Sequence, residues 1–284
     1  FNGTVDFDPG IGVYNLSKPG NYTCFLSKTD AAGNFVWAIE VANKSATSTP
    51  SLTIDKAGNI YVTGGFVGKS DFDPGPDSTI LTTNGMADIF VAKYTTDGEL
   101  IWARNMGGTA EDYATSIAVD DRGNVALTGK FWGTADFDPG LGVYNLNTQY
   151  YDVFIAKLDS SGTFVWAKQL LVYQTGSDDE PNGIAVDATG NVYSTGTFTV
   201  SADFDPGPGV HTEKANTNDI YISKLDAAGN FRWARKIGGP IQDVGNSIKV
   251  DDAGNVFTVG SFNLTADFDP DSTEQRLYSS GKED

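Results

Sequence analysis

The chain has 284 residues, enough for one large domain or two small ones. It carries 19 Lys and Arg against 37 Asp and Glu, a net charge of −18, which excludes a phosphate-binding face for nucleic acid and disfavours an anionic membrane surface. Aromatic residues at 12% argue against disorder, the single Cys excludes a disulfide framework or a cysteine zinc site, and the single His leaves little room for His-dependent catalysis. No apolar run reaches the roughly 18 residues of a membrane-spanning helix. The chain opens on Phe1 without a signal-peptide pattern, as expected of a processed product or a fragment.

In chain order the predicted elements are strands, and they repeat. Asp-Phe-Asp-Pro starts at Asp6, Asp71, Asp136, Asp203 and Asp267, in steps of 65, 65, 67 and 64 residues. After the first copy come strands 22–28 and 35–39, with Lys28 and Trp37 nine residues apart. The same Lys-to-Trp spacing returns at Lys93/Trp102, Lys157/Trp166 and Lys224/Trp233. A third marker, Asp-x-x-Gly-Asn, begins at Asp55, Asp120, Asp187 and Asp251, always 16 residues before the next Asp-Phe-Asp. Within the unit starting at Ser116, Ser-Ile-Ala-Val alternates as a strand, Asp120 to Asn124 supplies turn chemistry, and Val125-Ala126-Leu127-Thr128 returns as a hairpin partner. The stretch 152–157 is apolar on both faces, and the turn from Asp159 to Gly162 leads into Thr163-Phe164-Val165-Trp166-Ala167. Strands with two apolar faces need cover on both sides, and no amphipathic helix offers it. Other sheets must therefore do so, which predicts an all-β β-propeller of four-stranded antiparallel blades.

The pattern Ser-Ile-Ala-Val-Asp-Asp-x-Gly-Asn-Val, Thr-Gly-x-Phe, Asp-Ile-Phe-Val-Ala-Lys and Gly-x-Phe-x-Trp-Ala resembles the SBBP-type β-propeller repeat over roughly residues 20 to 270. The resemblance implies the fold and an extracellular, secreted or cell-surface location in bacteria. It implies no single activity, because propellers host many. The uniform Asp-Phe-Asp-Pro-Gly insertion marks a distinctive subtype. Related repeats place the Ile-Ala-Val-Asp strand innermost and the Phe-x-Trp strand outermost. On that order three blades are contiguous, near 51–105, 116–170 and 183–237. Two inner strands at 247–250 and 256–260 and two outer strands at 22–28 and 35–39 then make a fourth, composite blade. The halves join within one closed ring, which hides two sheet edges, or between molecules as a head-to-tail fibre; or the chain is cut from a longer array. A single domain is expected over 1–270, with a loose polar tail over 271–284.

Among candidate sites, each Asp-x-Asp pair places two carboxylates on one side of an extended segment, with Phe137 and its counterparts on the other. Asp6 and Asp8, Asp71 and Asp73, Asp136 and Asp138, Asp203 and Asp205, and Asp267 and Asp269 would suit Ca²⁺. The competing reading makes Asp-Pro-Gly a turn with the first Asp capping its loop. The Asp-x-x-Gly-Asn turns, the four Lys and the four periodic Trp read as structural, the Trp as packing between blades. Trp132 lies outside that register, where Val67, Thr199 and Asn263 stand in other copies, and is the candidate glycan-stacking ring. Phe131 reads as core, and Cys24, in the place of Ile89, Val153 and Ile220, as a small buried hydrophobe. His211 stands in a variable insertion with no nucleophile pattern beside it. Sequons at Asn2, Asn15, Asn21, Asn43 and Asn263 would be surface glycosylation sites in a glycosylating host.

Carboxylate pairs are the raw material of glycoside hydrolysis, but an active site is usually unique and these recur in every copy. The expectation is a non-catalytic structural or adhesive module, closed on itself or linked to a neighbour through its complementary terminal strands. The alternative is a carbohydrate- or ligand-binding propeller, and a polysaccharide-active enzyme ranks third. Nucleic-acid binding and membrane insertion are not expected.

Overall fold

A computed structural model describes residues 1–18, 23–42, 50–172, 179–269 and 275–279. Every regular element among them is a β-strand, and neighbouring strands pair antiparallel. The N-terminal region holds two hairpins, β1 (Gly3–Asp6) with β2 (Asn15–Lys18) and β3 (Cys24–Thr29) with β4 (Phe35–Ala42). The first blade is β5 (Ser51–Ile54), β6 (Ile60–Asp71), β7 (Ile80–Tyr94) and β8 (Leu100–Gly108), paired in that order. The second consists of β9 (Tyr113–Val119) and β10 (Val125–Phe131), then, after the short hairpin β11 (Thr134–Asp136) and β12 (Asn145–Asn147), β13 (Asp152–Leu158) and β14 (Phe164–Val172). The third is β15 (Glu180–Val186), β16 (Val192–Asp203), β17 (Thr212–Leu225) and β18 (Phe231–Ile237). The C-terminal hairpins are β19 (Val244–Val250) with β20 (Val256–Ser261) and β21 (Thr265–Asp267) with β22 (Arg276–Tyr278).

The three contiguous blades lie where the repeat spacing predicts them. The expected fourth blade is not joined as one sheet among the described residues. Its inner half, β19–β20, and its outer half, β3–β4, are separate two-stranded sheets among the described residues. Within the segment expected as a tail, Arg276–Tyr278 pairs with β21. The physical reason is that the fifth Asp-Phe-Asp-Pro carries the same return strand as the other four.

That return strand is the larger departure from the sequence reading. Asp-Phe-Asp-Pro is the tip of a second hairpin that grows out of strands two and three of each unit. In the first blade β6 and β7 carry it beyond a bulge at Val67/Lys69, pairing Asp71 with Ile80. The extension then reaches the outermost strand of the preceding blade. Ala135 and Asp136 of β11 pair with Gly108 and Gly107 of β8, and Ala202 and Asp203 of β16 pair with Val172 and Leu171 of β14. Gly108 permits the approach, because a Cβ there would stand 1.9 Å from the Thr134 carbonyl oxygen. At the next junction Gly239 faces the Thr265 carbonyl in the same way.

The core lies between blades. Tyr61, Ile89, Val91 and Trp102 of the first blade pack on Ile117, Leu127, Phe154 and Leu158 of the second. Val153, Ile155 and Trp166 of the second pack on Ile184, Val192 and Tyr221 of the third. Cys24 and Leu26 of β3 close over Ile60, Val62 and Phe90 of the first blade. In the three middle copies the Phe of Asp-Phe-Asp-Pro turns inward edge-on to a strand Phe, Phe66/Phe72, Phe131/Phe137 and Phe198/Phe204, with ring centroids 5.4, 5.5 and 5.4 Å apart.

The periodic Trp residues clamp successive units. The Trp102 indole N–H donates to the Ser160 carbonyl at 3.2 Å and the Trp166 indole to Ala227 at 3.1 Å, both in outer-hairpin turns of the following blade. Each ring lies against the glycine of that turn, Trp37 on Gly98, Trp102 on Gly162 and Trp166 on Gly229. Trp102→Ala is expected to cost about 3–5 kcal/mol, the usual range for a buried Trp, read as a lowered denaturant midpoint. Trp233→Ala, whose indole clamps no turn glycine among the described residues, should cost clearly less in the same titration.

Candidate functional site

The two acidic motifs are built as backbone acceptors. In the Asp-x-x-Gly-Asn turns, Asp120 Oδ1 accepts the N–H of Arg122 and of Asn124, both at 2.9 Å, and Oδ2 accepts the Asn124 side-chain amide at 2.8 Å. Gly123 sits at φ 80°, which the turn requires. The same bonds recur at Asp55, Asp187 and Asp251. Burial alone would raise the Asp187 carboxyl, but bonds from Thr189, Asn191 and Tyr193 outweigh it and hold it at about 2.

In Asp-Phe-Asp-Pro the first carboxylate spans the loop. Asp136 Oδ1 accepts the N–H of Asp138 at 3.0 Å and of Tyr144 at 2.8 Å, while Asp138 Oδ1 accepts Gly140 N–H at 2.8 Å. Asp6 and Asp8, Asp71 and Asp73, and Asp203 and Asp205 repeat all three bonds. Asp267 accepts from Asp269 and Gln275. The loop-capping reading of the sequence is therefore built in every copy. No group of three or more Asp, Glu, His or Cys side chains is gathered to hold a metal among the described residues. His211 occupies the place of Tyr14 and Tyr144: its ring lies 4.8 Å from Phe231, as Tyr14 lies from Phe35 and Tyr144 from Phe164.

The four Lys brace turns. Lys157 is buried and its Nζ donates to the Gly190 carbonyl of the next blade at 2.8 Å, and Lys28 Nζ donates to the Thr96 carbonyl at 2.8 Å. Lys93 and Lys224 lie over the rings of Tyr61 and Tyr193 at 4.8 and 4.7 Å. Cys24 is buried, and that burial pushes its thiol up to about 12. Phe131 is buried as predicted. Asn2 and Asn15 are exposed, Asn263 donates its side-chain amide to the Gln242 carbonyl, and Asn21 and Asn43 lie outside the described residues.

Six further carboxylates are buried. Asp88, Asp152 and Asp219 face Phe66, Phe131 and Phe198 in register, Asp88 opening the Asp-Ile-Phe-Val-Ala-Lys stretch; Asp112, Asp179 and Asp243 precede the first strand of the next unit and carry no local signature. Asp112 joins two blades: its Oδ2 accepts Gly108 N–H at 2.7 Å from the blade before, and its Oδ1 accepts Trp132 N–H at 3.0 Å from its own. Asp243 does the same with Gly239 and Asn263, at 2.7 and 3.0 Å. Asp88 Oδ2 accepts from the Asn105 side chain and the Asn84 N–H, and Asp219 Oδ2 pairs with Lys236 at 2.8 Å. Asp88 and Asp112 both approach Gly107, where a Cβ would stand 2.8 Å from the first and 3.0 Å from the second. Burial pushes both carboxyls up to about 6. The signal that reveals this set is the repeat period itself, since Asp112, Asp179 and Asp243 are 67 and 64 residues apart.

Trp132 is 43% exposed and stands in an aromatic patch. Its ring lies 5.7 Å from Tyr151, which lies 6.4 Å from Tyr113 and donates its hydroxyl to Glu111 at 2.7 Å. Tyr150 beside it is also exposed. A second feature is an apolar groove of about 480 Å³ where β3 meets β5, lined by Cys24, Phe25, Leu26, Leu52 and Val62.

Two outcomes follow. Asp136→Ala should cost about 1–3 kcal/mol because two backbone N–H groups lose their acceptor, and Asp136→Asn, which keeps one, should cost less in the same melt. The Asp88 carboxyl keeps its proton in the folded state at a pH where the unfolded chain has released it. Its contribution is full below about pH 4 and is lost as pH rises through about 6, on the order of 2–3 kcal/mol. The lowered carboxyls of Asp55 and Asp187 act oppositely and lose their contribution as pH falls below about 4. Thermal melts should therefore rise from pH 7 to pH 5 and fall below pH 4, and Asp88→Asn with Asp112→Asn should flatten the rise.

The family described as Beta-propeller repeat, SBBP, matches at residues 36–64 and 165–197. Both segments span the Trp strand of one unit and the first hairpin of the next, through the Trp37 and Trp166 clamps. An uncharacterized WD repeat-containing protein of Acanthamoeba polyphaga mimivirus is 25% identical, covering 78% of this chain and 17% of its own length. Regulatory protein FlaEY of Caulobacter vibrioides is 27% identical, covering 68% of this chain and 19% of its own. The chain thus spans less than a fifth of the length of these relatives. With antiparallel pairing between the described strands and a core lying between successive sheets, the chain is a β-sheet protein with SBBP β-propeller repeats at these two segments.

Proposed function

We propose that this chain is a non-catalytic structural or adhesive module of a bacterial secreted or cell-surface assembly, with three blades and two half-blades that together make a fourth, composite blade. The supporting observation is that the chemistry-bearing side chains recur once per unit and act on the blades themselves. Asp136 and its counterparts hold loops, Asp112 and Asp243 tie neighbouring blades, and Trp102 and Trp166 clamp the following turn. Such a scaffold is repeated to give reach and surface rather than one reacting centre. In this reading the Asp-x-Asp pairs are loop braces and calcium is dispensable.

A second reading, carbohydrate binding, is favoured by one feature that does not recur. Trp132 with Tyr151, Tyr113 and Tyr150 offers ring faces to solvent beside Glu111, a surface suited to the apolar face of a sugar.

The test incubates the purified chain with a panel of polysaccharides, following new reducing ends and retention together. The structural reading expects no turnover and retention unchanged by Trp132→Ala. Retention lost on Trp132→Ala moves the function to glycan binding, and turnover lost on changing a single Asp overturns the non-catalytic reading. EDTA should leave the melting temperature unchanged; a drop reversed by added Ca²⁺ would make the Asp-x-Asp pairs calcium sites.

A further inference from the structure

The contacts between units run in one direction, and the two ends of the chain are left with complementary halves. At the C-terminal end β20 pairs only with β19 among the described residues. Its Phe257 and Val259 are 61% and 64% exposed, although the residues in their places, Tyr61 and Thr63 in β6 and Tyr193 and Thr195 in β16, are buried. At the N-terminal end β3 pairs only with β4 among the described residues, and Leu52 and Ile54 of β5 are 55% and 58% exposed. Ile117, Ile184 and Ile248, the counterparts of Leu52, are buried. The groove of about 480 Å³ lies between these two uncovered elements. The clamps show the same mismatch. A Cβ on Gly33 would meet nothing within 4 Å, whereas Gly98, Gly162 and Gly229 each lie under a Trp of the preceding unit.

We propose that the β3–β5 groove is an assembly site that receives the β19–β20 hairpin of a second copy of this chain, so that the composite blade forms across two molecules. This rests on the propeller-scaffold reading above and adds where, and with what, the fourth blade closes. Among the described residues the halves are separate sheets, and the proposal places the complement on another copy. The site continues the packing already present between blades, and the register follows from the three complete ones. Lys93 faces Tyr61, Ala92 faces Val62, and Phe90 faces Gly64; β10 with β13 and β16 with β17 keep the same order. Carried over, Phe257 faces Lys28, Thr258 faces Ser27, Val259 faces Leu26 and Gly260 faces Phe25.

Each of these pairs fits. In the complete blades a glycine lies beneath an aromatic ring, and a Cβ on Gly129 would stand 2.8 Å from the Phe154 ring. Gly260 offers the same space to Phe25, which is 46% exposed in the single chain. Lys28 would cover the Phe257 ring as Lys93 covers Tyr61. Thr258, whose buried hydroxyl has no partner among the described residues, would meet Ser27 as Ser194 meets Ser223 at 2.7 Å. Phe257 and Val259 would cover Leu52 and Ile54, and Trp233 would clamp the Gly33 turn. Each molecule then has one donor hairpin and one acceptor groove, so association runs head to tail.

The test uses the full chain. Light scattering across a concentration series should give masses above one chain that rise with concentration, and Phe257→Asp should return the protein to a monomer. Oxidising a mixture of one variant carrying Thr258→Cys with another carrying Ser27→Cys should give a disulfide-linked heterodimer, since the buried Cys24 does not face either position. Both substitutions in one chain should give a ladder of linked oligomers at high concentration. A monomeric mass at every concentration, or a double variant cross-linked only within single chains, would overturn the proposal. The scaffold reading survives a ring closed within one chain but not polysaccharide turnover, so the two failures are distinguishable.

Discussion

A sheet that is apolar on both faces is stable only when something covers both, and this requirement organises the molecule. The fully buried residues of β10 and β13 illustrate it. Leu127 and Phe154 face the first blade, and Ala126 and Val153 face the third. Neither set could remain buried in an isolated blade. The Trp clamp, the Lys braces and the Asp112 and Asp243 links all act across the gap between units, where the packing area lies. The same rule marks two uncovered faces: Phe257 and Leu52 are exposed, although Tyr61 and Ile117 in the corresponding places are buried.

The acidic character has a second physical basis. A carboxylate that accepts two or three backbone N–H groups keeps a loop closed without needing a neighbouring cation. The loops at Asp6, Asp71, Asp136 and Asp203 use that device identically. Part of the −18 charge is thus spread over the molecule as loop supports. The buried Asp88 and Asp112 belong to another class. Desolvation dominates them and turns them into groups that favour the proton, whereas hydrogen bonds dominate Asp187 and do the reverse. One repeat therefore contains carboxyls shifted in both directions, set by whether burial or donors prevail.

Much of this was legible in the residues. Alternation in Ser116–Val119, the turn glycines and the Lys-to-Trp spacing located three blades and the polarity of their strands. Phe131, Phe137 and Cys24 were recognisable as buried from their equivalents in other copies. Two features were not legible. The Asp-Phe-Asp-Pro insertion looks like a loop because its strands are short and polar outside the motif, as in Thr134-Ala135-Asp136; they become strands by pairing with Gly107 and Gly108 of the preceding blade. Asp112 looks like an ordinary surface acid, since nothing local marks a residue that meets its partner across a blade junction, and Asp88, although it opens the Asp-Ile-Phe-Val-Ala-Lys stretch, shows its burial only in the fold.

The sequence by itself determined the period, the strand and turn chemistry within a unit, and the inward place of the aromatics, because these depend on neighbours a few residues away. Only the tertiary structure decided how units are joined, which carboxylates are buried, and that β3–β4 and β19–β20 are separate two-stranded sheets among the described residues. Those properties depend on contacts between residues about a full repeat apart, where no local pattern records which surfaces meet.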